Sequence, residues 1–272
     1  MMLQPIRDDL SISHDAADYW RGIAAGRAPR VSDVHQAGAP ELLQRLAAVG
    51  LRAGALDRLH TATNGARLSS VLDAACGTGN WSLALAPIAT RVVGFDINAS
   101  FVRAAASAAS ARGFTNTTFV TAELTDLDRF ATDGPFDLIL FGSIFSCVDT
   151  STVNRVLSAA RRLLSPRGVI YVRASITNRR YEQTLADHYF SIYRRTERYQ
   201  SIFNKSGFRV VGPWRSEQLI IEGFARFVAA GASTVGSYVS RTLIRIASHV
   251  QRSTNPVGFA NWFLIPTLQR PR

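Results

Sequence analysis

The sequence predicts a doubly wound α/β fold, and three observations carry that prediction. Short runs apolar on both faces, such as SSVLDAA (69–75) and FDLILFGS (136–143), recur through the middle of the chain. Helix-like stretches of about 10 to 15 residues separate them, and a strand buried on both faces needs a helical layer on each side. A glycine-rich turn, Asp73-Ala74-Ala75-Cys76-Gly77-Thr78-Gly79, links the first run to its helix.

Each element follows from its local pattern. Residues 1–68 carry helical apolar spacing broken by loops; Leu42, Leu43, Leu46 and Ala47 mark one amphipathic helix, and 26–40 is rich in turn residues. After the strand at 69–75, residues 80–89 read as a helix, RVVGFDI (91–97) as a strand, and the alanine-rich stretch from Ser100 to Arg112 as a helix. TTFVTAE (117–123) and 136–143 are the third and fourth strands. A helix over 150–164 ends at Ser165-Pro166-Arg167-Gly168, and GVIYVRAS (168–175) is the fifth strand. Beyond it the spacing of Tyr181, Tyr189, Tyr193 and Tyr199 predicts a long polar helical stretch, followed by a strand at 207–214. A 36-residue helical segment and an apolar run at 259–266, suited to a last strand, complete the order. This divides the chain into a helical lid (1–68), a core (69–216), a helical insertion (217–252), and a last strand with its tail (253–272).

Composition sets outer limits. The chain has 272 residues, 47% hydrophobic and 19% charged, which excludes a disordered polymer and leaves enough material for a large core. Net charge is +11, yet only Lys205 among the 31 basic residues is lysine. Dispersed arginines in an alanine-rich chain indicate compositional bias more than a nucleic-acid surface. Cys76 and Cys147 are too few for a disulfide framework and lack metal-ligand spacing, so a reducing compartment and no metal are expected. The first nine residues carry charge, and the longest apolar helical stretch, 227–240, is too short to span a bilayer. A cytoplasmic protein is expected.

The turn at 73–79 brings backbone close to a ligand and places free N–H groups at a helix start. A dinucleotide site wants a third glycine where Ser82 stands. Asp73 would repel a pyrophosphate but accept hydrogen bonds from an ammonium group. Asp96, at the end of the second strand, can take both hydroxyls of a ribose. Glu123, at the end of the third, can accept from an adenine amine, with the Leu124 N–H beside it for a ring nitrogen. Amine, ribose and adenine together describe S-adenosylmethionine.

On these residues the chain resembles the class I S-adenosylmethionine-dependent methyltransferases. VLDAACGTGNWS (71–82) is similar to the family's first motif, GFDIN (94–98) to its second and TAELTDL (121–127) to its third. FDLILFGSIF (136–145) resembles the fourth, and LLSPRGVIYV (163–172) the helix-turn-strand that follows. The resemblance covers about 69–214. It implies a mostly parallel seven-stranded sheet whose last strand, 259–266, is antiparallel. It also implies cofactor contacts from Ala75, Gly77, Gly79, Ile97, Phe141 and Gly142 beside the residues already named. The family more often has glycine where Ala75 stands; a positive φ there would strain an alanine by about 1 kcal/mol or more.

The expected acceptor is a small organic molecule, with an anionic one suited to the arginines. The Asn/Asp-Pro-Pro-aromatic motif of amino-group nucleobase methyltransferases is replaced here by Phe141-Gly142-Ser143-Ile144, and Cys147 lacks the setting of a cytosine-5 nucleophile. HDAADYW (14–20) resembles the tyrosine-bearing lid helix of small-molecule methyltransferases, which puts Tyr19 at the cofactor and Trp20 at the acceptor. Arg173 follows an apolar strand into the mouth, and DHYFSIYRRTERY (187–199) supplies Tyr189, Tyr193 and Arg194 as acceptor contacts. Arg173 or Arg194 would hold a carboxylate or phosphate through a bidentate contact. His188 is the candidate general base. The insertion is expected to cap the acceptor pocket; core packing, a homodimer contact and a membrane-surface helix are the alternatives.

Overall fold

Neighbouring residues on the first core strand point to opposite faces, and both faces are buried: Leu72 belongs to one apolar cluster and Val71 to the other. The computed structural model describes residues 4–5, 11–23, 29, 41–63, 65–178, 183–186, 190–216, 218–220, 222 and 257–267. Its strands are β1 (Gln4–Pro5), β2 (Leu68–Ala74), β3 (Ala89–Asp96), β4 (Thr117–Thr121), β5 (Phe136–Gly142), β6 (Leu164–Thr177), β7 (Gln183–Ala186), β8 (Phe190–Tyr193), β9 (Phe208–Arg215) and β10 (Val257–Pro266). The helices are α1 (Ser11–Gly22), α2 (Glu41–Ala62), α3 (Asn80–Leu85), α4 (Ala99–Ser110), α5 (Thr150–Leu163) and α6 (Thr196–Lys205).

Seven strands form one sheet in the order β4-β3-β2-β5-β6-β10-β9. From β4 to β6 the neighbours are parallel, whereas β10 is antiparallel to both β6 and β9. The chain runs outward from β2 to β4, then returns to β5 on the other side of β2. That reversal opens a crevice at the carboxyl ends of β2, β3 and β5, where open α/β sheets bind ligands.

The helices cover both faces, as the doubly apolar strands require. Val153, Val156, Leu157 and Leu163 of α5 pack with Tyr199, Ile202 and Phe203 of α6 against Leu72, Phe95, Ile139 and Trp262. At about 1.5–3 kcal/mol for each large side chain removed from water, this face dominates the core. On the other face Leu51, Ala55 and Leu59 of α2 meet Val71, Leu138, Leu140, Tyr171 and Phe263. Gly54 lets α2 approach the segment after β9, because a β-carbon there would overlap the Leu219 carbonyl. Arg58 of α2 stacks over Trp214 and donates to Glu222 at 2.6 Å.

Two expectations need correction. The stretch expected to be a long helix after the fifth strand instead contains β7 and β8, and among its described residues only Thr196–Lys205 is helical. These two strands pair antiparallel with each other, and β1 adds to β7 to make a separate three-stranded sheet. The helix expected over 80–89 ends at Leu85, because the chain turns at once into β3. Most of the 217–252 insertion lies outside the described residues. Among those described, no helix is long and apolar enough to cross a membrane.

Candidate functional site

The chain must leave β2 abruptly and restart as α3 six residues later, and it does so through three left-handed residues. These are Ala75 at φ 57°, Gly77 at φ 55° and Gly79 at φ 80°. A side chain at Gly79 would also bring its β-carbon within 2.9 Å of that of Ala105. Ala75 therefore sits where the missing glycine would have been unstrained. The Cys76 amide donates to the Phe95 carbonyl at 2.8 Å and the Gly79 amide to the Cys76 carbonyl at 3.0 Å, which pins the turn to β3.

Asp73 is 1% exposed. The Ser82 amide and hydroxyl both donate to its Oδ2, at 2.9 and 2.6 Å, tying the strand end to α3. Burial raises its pKa to about 6, against the lowering effect of the Ser82 bonds, and neighbouring Asp96 adds to the rise. Asp96 accepts from the Gly77 amide at 2.8 Å and the Asn98 amide at 2.9 Å; burial raises its pKa as well. Among the described residues no cation forms an ion pair with either carboxylate. Glu123 follows β4, is half exposed, and pairs with Arg21 of α1. Leu124 and Ile97 are half-buried beside these carboxylates.

The lid helix is docked on this edge. Asn98 caps α4 by accepting from the Ser100 and Phe101 amides, and its Nδ2 donates to the Trp20 and Ile23 carbonyls, both at 2.7 Å. Tyr19 and Trp20 are half-buried with their rings edge to face, and Trp20 packs on Phe101. The Trp20 side chain also bonds Cys147, whose thiol burial pushes up to about 11, against the nucleophilic thiolate form.

The structure sorts the remaining candidates. Gly142 ends β5 with Trp81 against it, as a β-carbon there would lie 3.3 Å from the indole. The Phe141 ring is fully buried and stacked on Phe145, which leaves its backbone at the strand end. Arg173 reaches the mouth, donating to Ser143 and lying over the Phe259 ring at 3.7 Å. Arg194 departs from its expected place at the acceptor, since it is 1% exposed and donates to the Phe145 and Val148 carbonyls at 2.6 and 2.7 Å. It clasps the turn after β5 and presents no guanidinium to a ligand. Tyr193 is also buried, at 3% exposure. His188 and Tyr189 lie outside the described residues.

Sequence reasoning missed Ser82, Asn98, Ser143 and Asn261. Only Asn98 carried a local signal, as an N-cap type just before the alanine-rich helix. Among the described residues no group of three or more histidine, cysteine or carboxylate side chains could hold a metal ion. An open polar groove between α5 and α6, reaching Asn154, Arg198 and Lys205, shares no residue with the carboxylate site.

Residues 71–168 match a family described as a methyltransferase domain. A 23S rRNA (uracil(1939)-C(5))-methyltransferase of Marinomonas posidonica is 46% identical over 56 residues, which is 21% of this chain. The match spans only 13% of that relative's length. Among solved structures, a DhpI–SAH complex is 18% identical with a TM-score of 0.57 and covers 95% of this chain and 98% of its own. Magnesium protoporphyrin IX methyltransferase from Synechocystis PCC 6803, with bound SAM, is 16% identical with a TM-score of 0.59, covering 96% and 100%. The [4+2]-cyclase SpnF, 16% identical with a TM-score of 0.57, covers 99% of both chains. At these identities the likeness is one of fold.

Proposed function

We propose that this chain, which carries a methyltransferase domain on the class I S-adenosylmethionine-dependent methyltransferase fold, transfers a methyl group from S-adenosylmethionine to an oxygen or nitrogen of a small organic acceptor. One observation carries the reading: two buried carboxylates, Asp73 and Asp96, which pair with no cation among the described residues, flank a left-handed turn where strand order reverses. Burying charge without a counter-ion is costly even where hydrogen bonds are made, so the pair suits a ligand that brings an ammonium and hydroxyl donors.

In this reading Asp73 receives the amine through Oδ1, opposite the oxygen Ser82 uses. Asp96 takes the ribose hydroxyls while still bracing the Gly77 amide, and Glu123 with the Leu124 amide holds the adenine edge. The bound cofactor supplies a sulfonium methyl open to in-line displacement. Tyr19 and Trp20 of α1 close over the site, so that the chain contributes alignment and exclusion of water. With the cofactor bound, its methyl carbon would pass to the acceptor oxygen or nitrogen, the electron pair of the broken bond would stay on sulfur, and the acceptor would give up a proton. His188 is the proposed base for a hydroxyl acceptor. The helical lid and the 217–252 insertion flank the acceptor in a cytoplasmic, biosynthetic enzyme.

Calorimetric titration with S-adenosylmethionine tests the site. Wild type binds, and Asp96→Ala weakens binding by about a hundredfold while the far-ultraviolet dichroism is kept. Absence of binding, or an Asp96→Ala affinity equal to wild type, overturns the reading.

A second reading, methylation of RNA, draws on the short match to an rRNA methyltransferase and the +11 charge. It requires RNA affinity that falls steeply with salt.

A further inference from the structure

Arg173 lies on β6 beside Gly142 of β5 and opposite Asn261 of β10, near the carboxyl ends of the parallel strands. Contacts to Phe259, Ser143 and Ser216 help to hold its guanidinium. It stacks 3.7 Å from the Phe259 ring centroid, Nη1 donates to the Ser143 hydroxyl, and Nε faces the Ser216 hydroxyl at 3.4 Å. Ser143 holds a left-handed backbone at φ 91° although it has a side chain, an arrangement that persists only where its surroundings impose it.

A buried polar chain stands behind these contacts. Asn261 is fully buried, and its Nδ2 donates to the Trp214 carbonyl at 3.0 Å and the Ser216 hydroxyl at 3.1 Å. The Trp214 carbonyl can only accept, which orients the amide and leaves Oδ1 to accept from the Tyr171 hydroxyl at 2.6 Å. Burial pushes the Tyr171 phenol up, so it stays a donor. A free arginine loses much side-chain freedom on gripping an anion; here that freedom is already removed. Hydroxyls and a ring face hold the planar fork, whose geometry matches a carboxylate or phosphate.

We infer that Arg173 is the anion-binding residue of the acceptor pocket. The methylated acceptor is then a small organic molecule carrying a carboxylate or phosphate, with Ser216 and Asn261 as positioning residues. The inference rests on the methyl-transfer reading for its acceptor but not for the anion site itself.

The test is calorimetric titration of the S-adenosylhomocysteine complex with benzoate, its neutral counterpart benzamide, and inorganic phosphate. Benzoate should bind at least about tenfold more tightly than benzamide. Arg173→Gln should remove that preference, and Arg173→Lys, which keeps charge without the fork, should recover only part of it. S-adenosylhomocysteine affinity should stay unchanged in both, and Arg198→Gln should bind benzoate like wild type. Ser216→Ala should weaken benzoate about threefold and Ser216→Thr restore it. Phosphate binding more tightly than benzoate assigns the acceptor to the phosphate class, and the reverse order to the carboxylates. Equal binding of benzoate and benzamide, an Arg173→Gln chain that behaves as wild type, or an equal loss in Arg198→Gln overturns the inference. An inert Ser216→Ala overturns the positioning role. If S-adenosylhomocysteine does not bind, the cofactor reading fails, and the benzoate comparison on the free chain still decides Arg173.

Discussion

Ala75 carries a β-carbon through a left-handed turn, and its strain is measurable. Ala75→Gly should raise stability by about 1 kcal/mol, seen as a higher urea midpoint with an unchanged slope. Asp73 makes two opposite pH predictions. Its folded pKa of about 6 lies above the unfolded value of about 3.9, so the native state holds the proton more tightly between those values. Stability should therefore fall as pH rises from about 4 to about 6 and then level off, by on the order of a few kcal/mol; Asp73→Asn should flatten that slope. Cofactor affinity should run the other way, because an ammonium needs the ionised carboxylate: it should weaken as pH drops below about 6. Both carboxylates were legible as strand-end residues after apolar runs. Ser82 was not, since it becomes the partner of Asp73 only once the chain has turned back through three left-handed residues.

Asn98 joins two elements with one side chain: the oxygen caps α4 and the nitrogen holds the end of α1. Asn98→Asp keeps the cap but turns a carboxylate oxygen toward two carbonyls. It should release α1 while leaving the core intact, so trypsin should cut faster after Arg21 with little change in the melting temperature. The Arg21–Glu123 pair will not hold the lid alone, because at 43% and 52% exposure such a pair contributes little. Strands β2, β3 and β5 were legible because their central residues are apolar on both faces. The stretch containing β7 and β8 was misread because Tyr189 and Tyr193, four apart, fit a helix face, and runs as short as FSIY fit either period. Besides β8, β7 pairs with Gln4–Pro5, nearly the whole core away in sequence, which local spacing does not encode. Arg194 shows the same limit: its cation was visible, but not the Phe145 and Val148 carbonyls that enclose it.

Across the whole molecule, the proposed cofactor site joins β2, β3 and β4 to the lid, so its ligand should stabilise the fold as a unit. S-adenosylhomocysteine at a hundredfold excess over its Kd should add about 2.7 kcal/mol, read as a melting temperature several degrees higher. The antiparallel β10, expected from family resemblance and present in the sheet, has a further consequence for how the protein is assembled. It enters as a wedge between β6 and β9, both of which are synthesised before it. Pairing β10 with β6 joins Val257 to Thr177, closing a loop of 80 residues, and β9 has no place in the sheet until that happens. Until residues 257–266 arrive, a nascent or refolding chain presents the apolar edge of β6, with Ile170, Val172 and Ala174, to any strand that meets it. Fully buried Trp262 seals the gap, and its fluorescence would time the moment the sheet becomes whole.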